Sequence, residues 1–172
     1  MVRKSIVLLL VCLLACALTS SVKTAEAQDV VWCDLYLNTE CTVHAGEQLV
    51  IGHWWGACHP GLIKAFLRAI EEQEYTLDGA PLWDTQEAIQ YWGPIEEYAD
   101  DPFMEPCIGP SLTGYWTHWG HELALDPGVH SLRFTLSLGH PVIDGGDWDG
   151  DGRPDKYTGQ LYDLTVEIEV VP

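Results

Sequence analysis

Apolar and polar residues alternate most cleanly in the last third of the chain. Leu132, Phe134, Leu136 and Leu138 interleave with Ser131, Arg133, Thr135 and Ser137, and Leu164, Val166, Ile168 and Val170 interleave with Thr165, Glu167 and Glu169. A period of two is that of a strand with one face buried and the other in water. Further strands are predicted over Val30–Leu37, Gln48–Trp55 and Leu112–Leu125, with turns at Asn38-Thr39-Glu40 and Asp126-Pro127-Gly128. Glu74–Leu82 reads as a strand or hairpin turning at Asp78-Gly79. One segment breaks the pattern: after His59-Pro60-Gly61, the residues Leu62, Ile63, Phe66, Leu67 and Ile70 recur at helical spacing, which predicts a short amphipathic helix over Gly61–Glu72. Trp83–Pro110, rich in proline and acid, reads as a long excursion with one helical turn at Thr85–Gln90. Short strands at regular spacing predict a mainly β chain, an antiparallel sandwich with one short helix.

The N-terminus does not fit that pattern. Arg3 and Lys4 precede an apolar run from Ser5 to Leu18, and Ala25-Glu26-Ala27 offers a small-residue cleavage site. This is the layout of a secretory signal peptide, residues 1–27, leaving 28–172 as one β-sandwich domain. The alternative is a lipoprotein signal, since Leu13-Leu14-Ala15-Cys16 resembles a lipobox; Cys16 would then carry a lipid and be the only membrane attachment. Both readings place the domain outside the cytoplasm, secreted or at the cell surface.

Charge narrows the partners. The 172-residue chain carries 8 basic and 26 acidic residues, a net −18. Removing Arg3, Lys4, Lys23 and Glu26 with the leader leaves 5 against 25, a net −20. Nucleic acid and anionic membranes are disfavoured, while cations, glycans and other extracellular proteins remain. Four cysteines follow the leader: Cys33, Cys41, Cys58 and Cys107. An even number in an exported chain reads as two disulfides. Of three pairings, Cys33–Cys41 across a turn and Cys58–Cys107 tying down the long excursion are favoured, stabilising by about 2.5 and about 4 kcal/mol in the chain-entropy model.

The C-terminal stretch Leu125–Val171, with its proline-glycine turn followed by an alternating strand, resembles secreted bacterial Ig-like modules. Between its two clearest strands the chain reads Asp147-Trp148-Asp149-Gly150-Asp151-Gly152-Arg153-Pro154-Asp155. Aspartates at positions one, three and five project oxygens toward a common centre, a glycine at six permits a sharp turn, and a backbone carbonyl at seven and an acid at nine complete the shell. The spacing resembles the calcium loops of EF-hands, dockerins, thrombospondin type 3 repeats and integrin propellers. The resemblance implies Ca2+ held by Asp147, Asp149, Asp151, the Arg153 carbonyl and Asp155. Position twelve is Thr158 instead of a bidentate glutamate, and Pro154 and Gly159 oppose a following helix, so the nearer resemblance is to loops set between β elements. Asp144 is a further candidate outer ligand. An ion here staples the final hairpin instead of switching a helix pair.

The chain holds 8 tryptophans, densest at Trp54-Trp55 and at Trp116 and Trp119. Neighbours on a strand face opposite ways, so one of each pair is expected in the core and the other outside, where a flat ring suits a sugar. His118 and His121 fall on opposite faces of a strand and cannot share a zinc, and His53 and His59 read as ordinary strand and loop residues. Ser111, Ser131 and Ser137 lie in no nucleophile motif. The domain is thus expected to be a noncatalytic, calcium-binding, disulfide-stabilised module. A calcium-dependent carbohydrate-binding domain is the first alternative, and a small secreted hydrolase the second.

Overall fold

A computed structural model describes residues 29–98, 107–108 and 114–172. The expected leader, its cleavage site and Cys16 lie outside them. Among the described residues, nine strands fall into two packed sheets. The first holds β1 (Val30–Asp34), β3 (Gln48–Ala57), β7 (Gly114–Leu123) and β6 (Glu96–Tyr98), in the order β1-β3-β7-β6. The second holds β2 (Glu40–His44), β9 (Lys156–Val171), β8 (Gly128–Ile143), β4 (Ile70–Leu77) and β5 (Ala80–Trp83), in the order β2-β9-β8-β4-β5. The chain is a mainly β sandwich, as its alternation predicts.

Most pairings are antiparallel, but two at the margins are parallel: β1 with β3 and β2 with β9. The chain leaves the first sheet after β1, crosses to the second as β2, and returns beside β1 as β3. The expected Cys33–Cys41 bridge forms, yet it does not flank a hairpin turn. It fastens an edge strand of one sheet to an edge strand of the other, with Cys33 fully buried. Cys58–Cys107 also forms.

The helix α1 (Pro60–Ala69) begins where proline tolerates its missing N–H, and the His59 ring accepts from the Gly61 N–H at 2.9 Å. It buries Ile63, Phe66 and Ala69 and packs on β8, β3 and β7. It stops short of the expected Glu72 because Ile70 pairs with Leu138 and opens β4. A single turn, α2 (Thr85–Ala88), starts at a capping box between Asp84 and Glu87 and runs into a 3-10 turn at Ile89–Tyr91. The stretch after Trp83 is therefore more regular than its composition suggests, and part of its acidic run, Glu96–Tyr98, pairs with β7 as β6.

Inward residues of the two sheets meet in an aromatic core. His53, on β3, is fully buried between Phe134 and Trp119, with ring centroids 4.4 and 5.4 Å away. Trp119 in turn stacks on Tyr75 at 4.4 Å and donates its indole N–H to the Ala88 carbonyl.

A chain of hydrogen bonds runs through this core. The Trp92 indole N–H donates to Gln73 Oε1, which leaves Gln73 Nε2 to donate to Tyr75 Oη. Tyr75 then has one proton to give, and His53 Nε2 lies 2.7 Å away. His53 Nδ1–H faces Tyr36 Oη at 3.1 Å, and the Tyr36 ring stacks on Tyr162. This assignment requires a neutral imidazole. Burial acts in the same direction, pushing the His53 pKa down from 6.5 to about 3.

A pH dependence follows. Between about 3 and 6.5 the unfolded chain takes up a proton that folded His53 refuses, so stability is complete above pH 6.5 and falls as acid is added. Denaturant unfolding is expected to lose about 2 kcal/mol between pH 6.5 and 5, near 1.4 kcal/mol per unit. His130, half-buried and paired with Asp78 at 2.8 Å, has a raised pKa and acts the other way, its contribution fading as pH rises through that value. A stability that stays level from pH 6.5 to 5 would contradict a neutral, buried His53.

Candidate metal loop and aromatic surfaces

The acidic segment sits, as expected, between β8 and β9. Asp147, Asp149 and Asp151 converge: each offers a carboxylate oxygen, and these lie within 4.8 Å of one another. Backbone N–H groups shape the loop around them. Asp147 Oδ2 accepts from Gly152 at 2.9 Å, Asp149 Oδ1 from Asp151 at 3.1 Å, and Asp151 Oδ1 from Arg153 at 2.8 Å. Gly152 has φ +83°, the left-handed conformation that its place in the motif calls for.

Asp147 Oδ1 is enclosed and has no protein partner. A buried carboxylate oxygen without a donor is costly, and a cation satisfies it. The donor set, all hard oxygens, fits calcium or magnesium and not a soft metal. Asp155 stands outside the converging group. It closes the loop instead, with Oδ2 accepting the Trp148 N–H and its own N–H donating to the Gly146 carbonyl, both at 2.8 Å. In loops of this type, position nine often reaches the ion through water. The Arg153 backbone N–H is spent on Asp151, and its carbonyl is the atom that the motif assigns to the metal.

Asp144 is an anchor and not an outer ligand. It is 6% exposed, and both oxygens are occupied. Oδ1 accepts from the Gly146 N–H at 2.8 Å, and Oδ2 from the Trp148 indole at 3.0 Å and the Tyr157 hydroxyl at 2.8 Å. Its carbonyl also receives the Cys58 N–H at 2.7 Å. One buried carboxylate thus ties the loop's entry, its tryptophan and the following strand to the Cys58–Cys107 region. Burial and the neighbouring Asp144 carboxylate raise the pKa of Tyr157, which stays a protonated donor.

The four singled-out tryptophans divide by parity. Trp55 and Trp119 point inward, 6% and 0% exposed, and are removed from the candidate sugar-stacking set because their faces are spent on the core. Trp54 and Trp116 are half-buried on the other face of the first sheet, where Trp54 pairs with His118 and Trp116 with Gly56. His118 and His121 do lie on opposite faces: His118 packs beside Trp116, while His121 packs against Trp83 and Tyr91.

Two aromatic features escaped the sequence. Trp32 lies over Gly52 and Gly120, a directly opposed pair on β3 and β7. A Cβ at Gly52 would overlap the indole and approach the Trp119 carbonyl at 2.8 Å, and one at Gly120 would meet the ring at 3.0 Å. The second feature is a cleft of about 160 Å³ at the side of the sandwich. Its walls include Tyr36, Trp54, Trp55, Trp148, Tyr157 and Tyr162. Tyr36 stacks on Tyr162 at 4.4 Å and meets Trp54 edge-on at 6.3 Å. Trp148 is 54% exposed, so the acidic loop supplies one wall of the cleft.

Asp144→Ala strips three donors of their acceptor at once. It is expected to cost about 2–4 kcal/mol in denaturant unfolding. Trp148→Ala, which removes one exposed donor and leaves the carboxylate with two, is expected to cost less than 1 kcal/mol by the same measure.

No family model and no curated protein matches this chain. Among solved structures, it is similar to the cysteine protease inhibitor EhICP2 from Entamoeba histolytica, at 10% identity and TM-score 0.36, over 84% of this chain and 97% of that one. It is also similar to amebosin, at 12% identity and TM-score 0.28, over 83% of this chain and 97% of that one. Both likenesses are too slight to transfer a role or a ligand.

Proposed function

We propose that the chain is an exported, noncatalytic binding module whose β8–β9 loop is stapled by a calcium ion. The observation that carries this reading is the convergence of Asp147, Asp149 and Asp151 around an enclosed, unpartnered Asp147 oxygen. The ion cancels the repulsion of the carboxylates and fixes the loop against the hairpin. Two disulfides support an extracellular setting. With the chain's strong negative charge, a glycan or another extracellular protein is the partner to seek, and nucleic acid is not.

The noncatalytic part rests on the surroundings of the acids and bases. A polar concavity of about 310 Å³ on the outer face of the second sheet holds Glu72, Glu74 and Asp163. All three are exposed, and Asp163 is held by Arg133 in a two-pronged ion pair at 2.7 and 2.9 Å. General acid catalysis by a carboxyl group needs burial to keep its proton at neutral pH, and these groups are open to water. His53 is buried, neutral and fully engaged by two tyrosines.

Thermal melts in excess calcium and in chelator test the staple. At a calcium concentration a hundredfold above Kd, stabilisation of about 2.7 kcal/mol is expected, a rise of roughly 5–10 °C. Asp149→Asn with Asp151→Asn should abolish the difference, and magnesium should give a smaller one. Identical melts in calcium and in chelator would refute the staple.

A further inference from the structure

We infer that the side cleft is a binding site for a single neutral sugar ring, the end or a branch of a glycan, held between Trp54 and Trp148. The inference rests on the reading of the domain as a noncatalytic binding module and gives that module its ligand class.

The cleft exists because of how the two sheets end. β1 accompanies β3 only as far as Gly52, and β2 accompanies β9 only from Glu167 onward. On this side of the sandwich, Trp54 and its successors on β3 and the first half of β9 have no strand beside them among the described residues. The turn after β1 drops Tyr36 into the gap, and the acidic loop brings Trp148 over it. Aromatic rings from four separate segments therefore surround one small space. At about 160 Å³ it is smaller than the ~300–1,000 Å³ of pockets that hold drug-sized ligands, so it suits one ring and not a stretch of chain.

Its polar groups specify the ligand further. Trp55 is 6% exposed and lines the cleft, yet its indole N–H is enclosed without an acceptor. A buried donor in this position calls for an acceptor from outside the protein, and a sugar hydroxyl is one. Half-buried Tyr162, stacked on Tyr36 in the cleft lining, brings a second polar group, its hydroxyl. Flat apolar faces with a few placed hydrogen-bonding groups match a pyranose, which has C–H faces and a hydroxyl rim. The charge selects within that class. The chain is net −18, and Asp144 stands in the cleft lining, so anionic sugars are repelled.

The test is calorimetric titration of the full-length secreted protein with methyl glycosides of glucose, galactose, mannose and N-acetylglucosamine. Methyl glucuronide and a proline-rich peptide serve as comparison ligands, and each titration is run in calcium and in chelator. At least one neutral glycoside is expected to bind and the glucuronide not. Trp54→Ala and Trp148→Ala are each expected to weaken binding at least tenfold, as loss of an aromatic anchor does. Trp55→Phe, which keeps an aromatic ring in the core and removes the N–H together with the pyrrole ring, is expected to weaken it about fivefold. Trp148 is exposed, so its variant reports on the cleft without endangering the core, and a melt checks that each variant folds. Binding that survives in chelator supports the cleft even if the calcium staple fails. No binding of any neutral glycoside, in a protein whose melt still responds to calcium, overturns the cleft alone. Binding indifferent to both alanine variants, or binding of the peptide in place of the sugars, overturns it as well.

Discussion

Everything in this sandwich is arranged around an imidazole in a place that excludes water. His53 sits on an inward position of β3, facing the second sheet, where an unpaired polar group would cost several kcal/mol. Its two nitrogens are satisfied by tyrosines from different parts of the chain, Tyr75 of the second sheet and Tyr36 of the crossing turn. The pairing is therefore directional as well as cohesive. Apolar contacts between two sheets tolerate sliding, whereas a relay from Trp92 through Gln73, Tyr75 and His53 to Tyr36 closes in one register only. It ends at Tyr36, which lines the cleft, so the position of that wall is set from the core.

Much of this architecture is written in the sequence, because half-buried strands announce themselves. The alternation at Leu132–Leu138 and Leu164–Val170 becomes β8 and β9, and the Asp147–Asp155 spacing becomes the loop between them. Parity explains why one tryptophan of each pair went inward. Local patterns are silent about what a strand pairs with. β2 is five residues, Glu40 to His44, and its partner β9 is more than a hundred residues away, so neither the strand nor its parallel pairing could be read from neighbours. For the same reason the disulfide pairing is legible and its geometry is not. Cys33 and Cys41 are close in sequence, but the turn between them passes from one sheet to the other.

The cleft is the extreme case. Tyr36, Trp54, Trp148 and Tyr162 carry no shared spacing, and they meet where, among the described residues, β1 and β2 stop short along the outer edges of β3 and β9. Within the acidic loop the labour is divided in a way the motif does not state. Asp147, Asp149 and Asp151 face a common centre, Asp155 closes the loop onto the Trp148 backbone, and Asp144 holds the indole. The one tryptophan inside the motif is thereby gripped at both its backbone and its ring.

The glycine seat beneath Trp32 makes positions 32, 52 and 120 a single inherited trait. An indole laid flush against two opposed backbones admits no side chain at either glycine while it stays in place. A sequence that acquires alanine at 120 must already have surrendered the bulk at 32, or lose the fit of an edge strand, whereas a Cβ at 52 meets the Trp119 carbonyl as well. In any set of descendants of this fold, positions 32 and 120 should therefore drift together, and a chain with a small residue at 32 is the one in which glycine at 120 ceases to be required while glycine at 52 is kept.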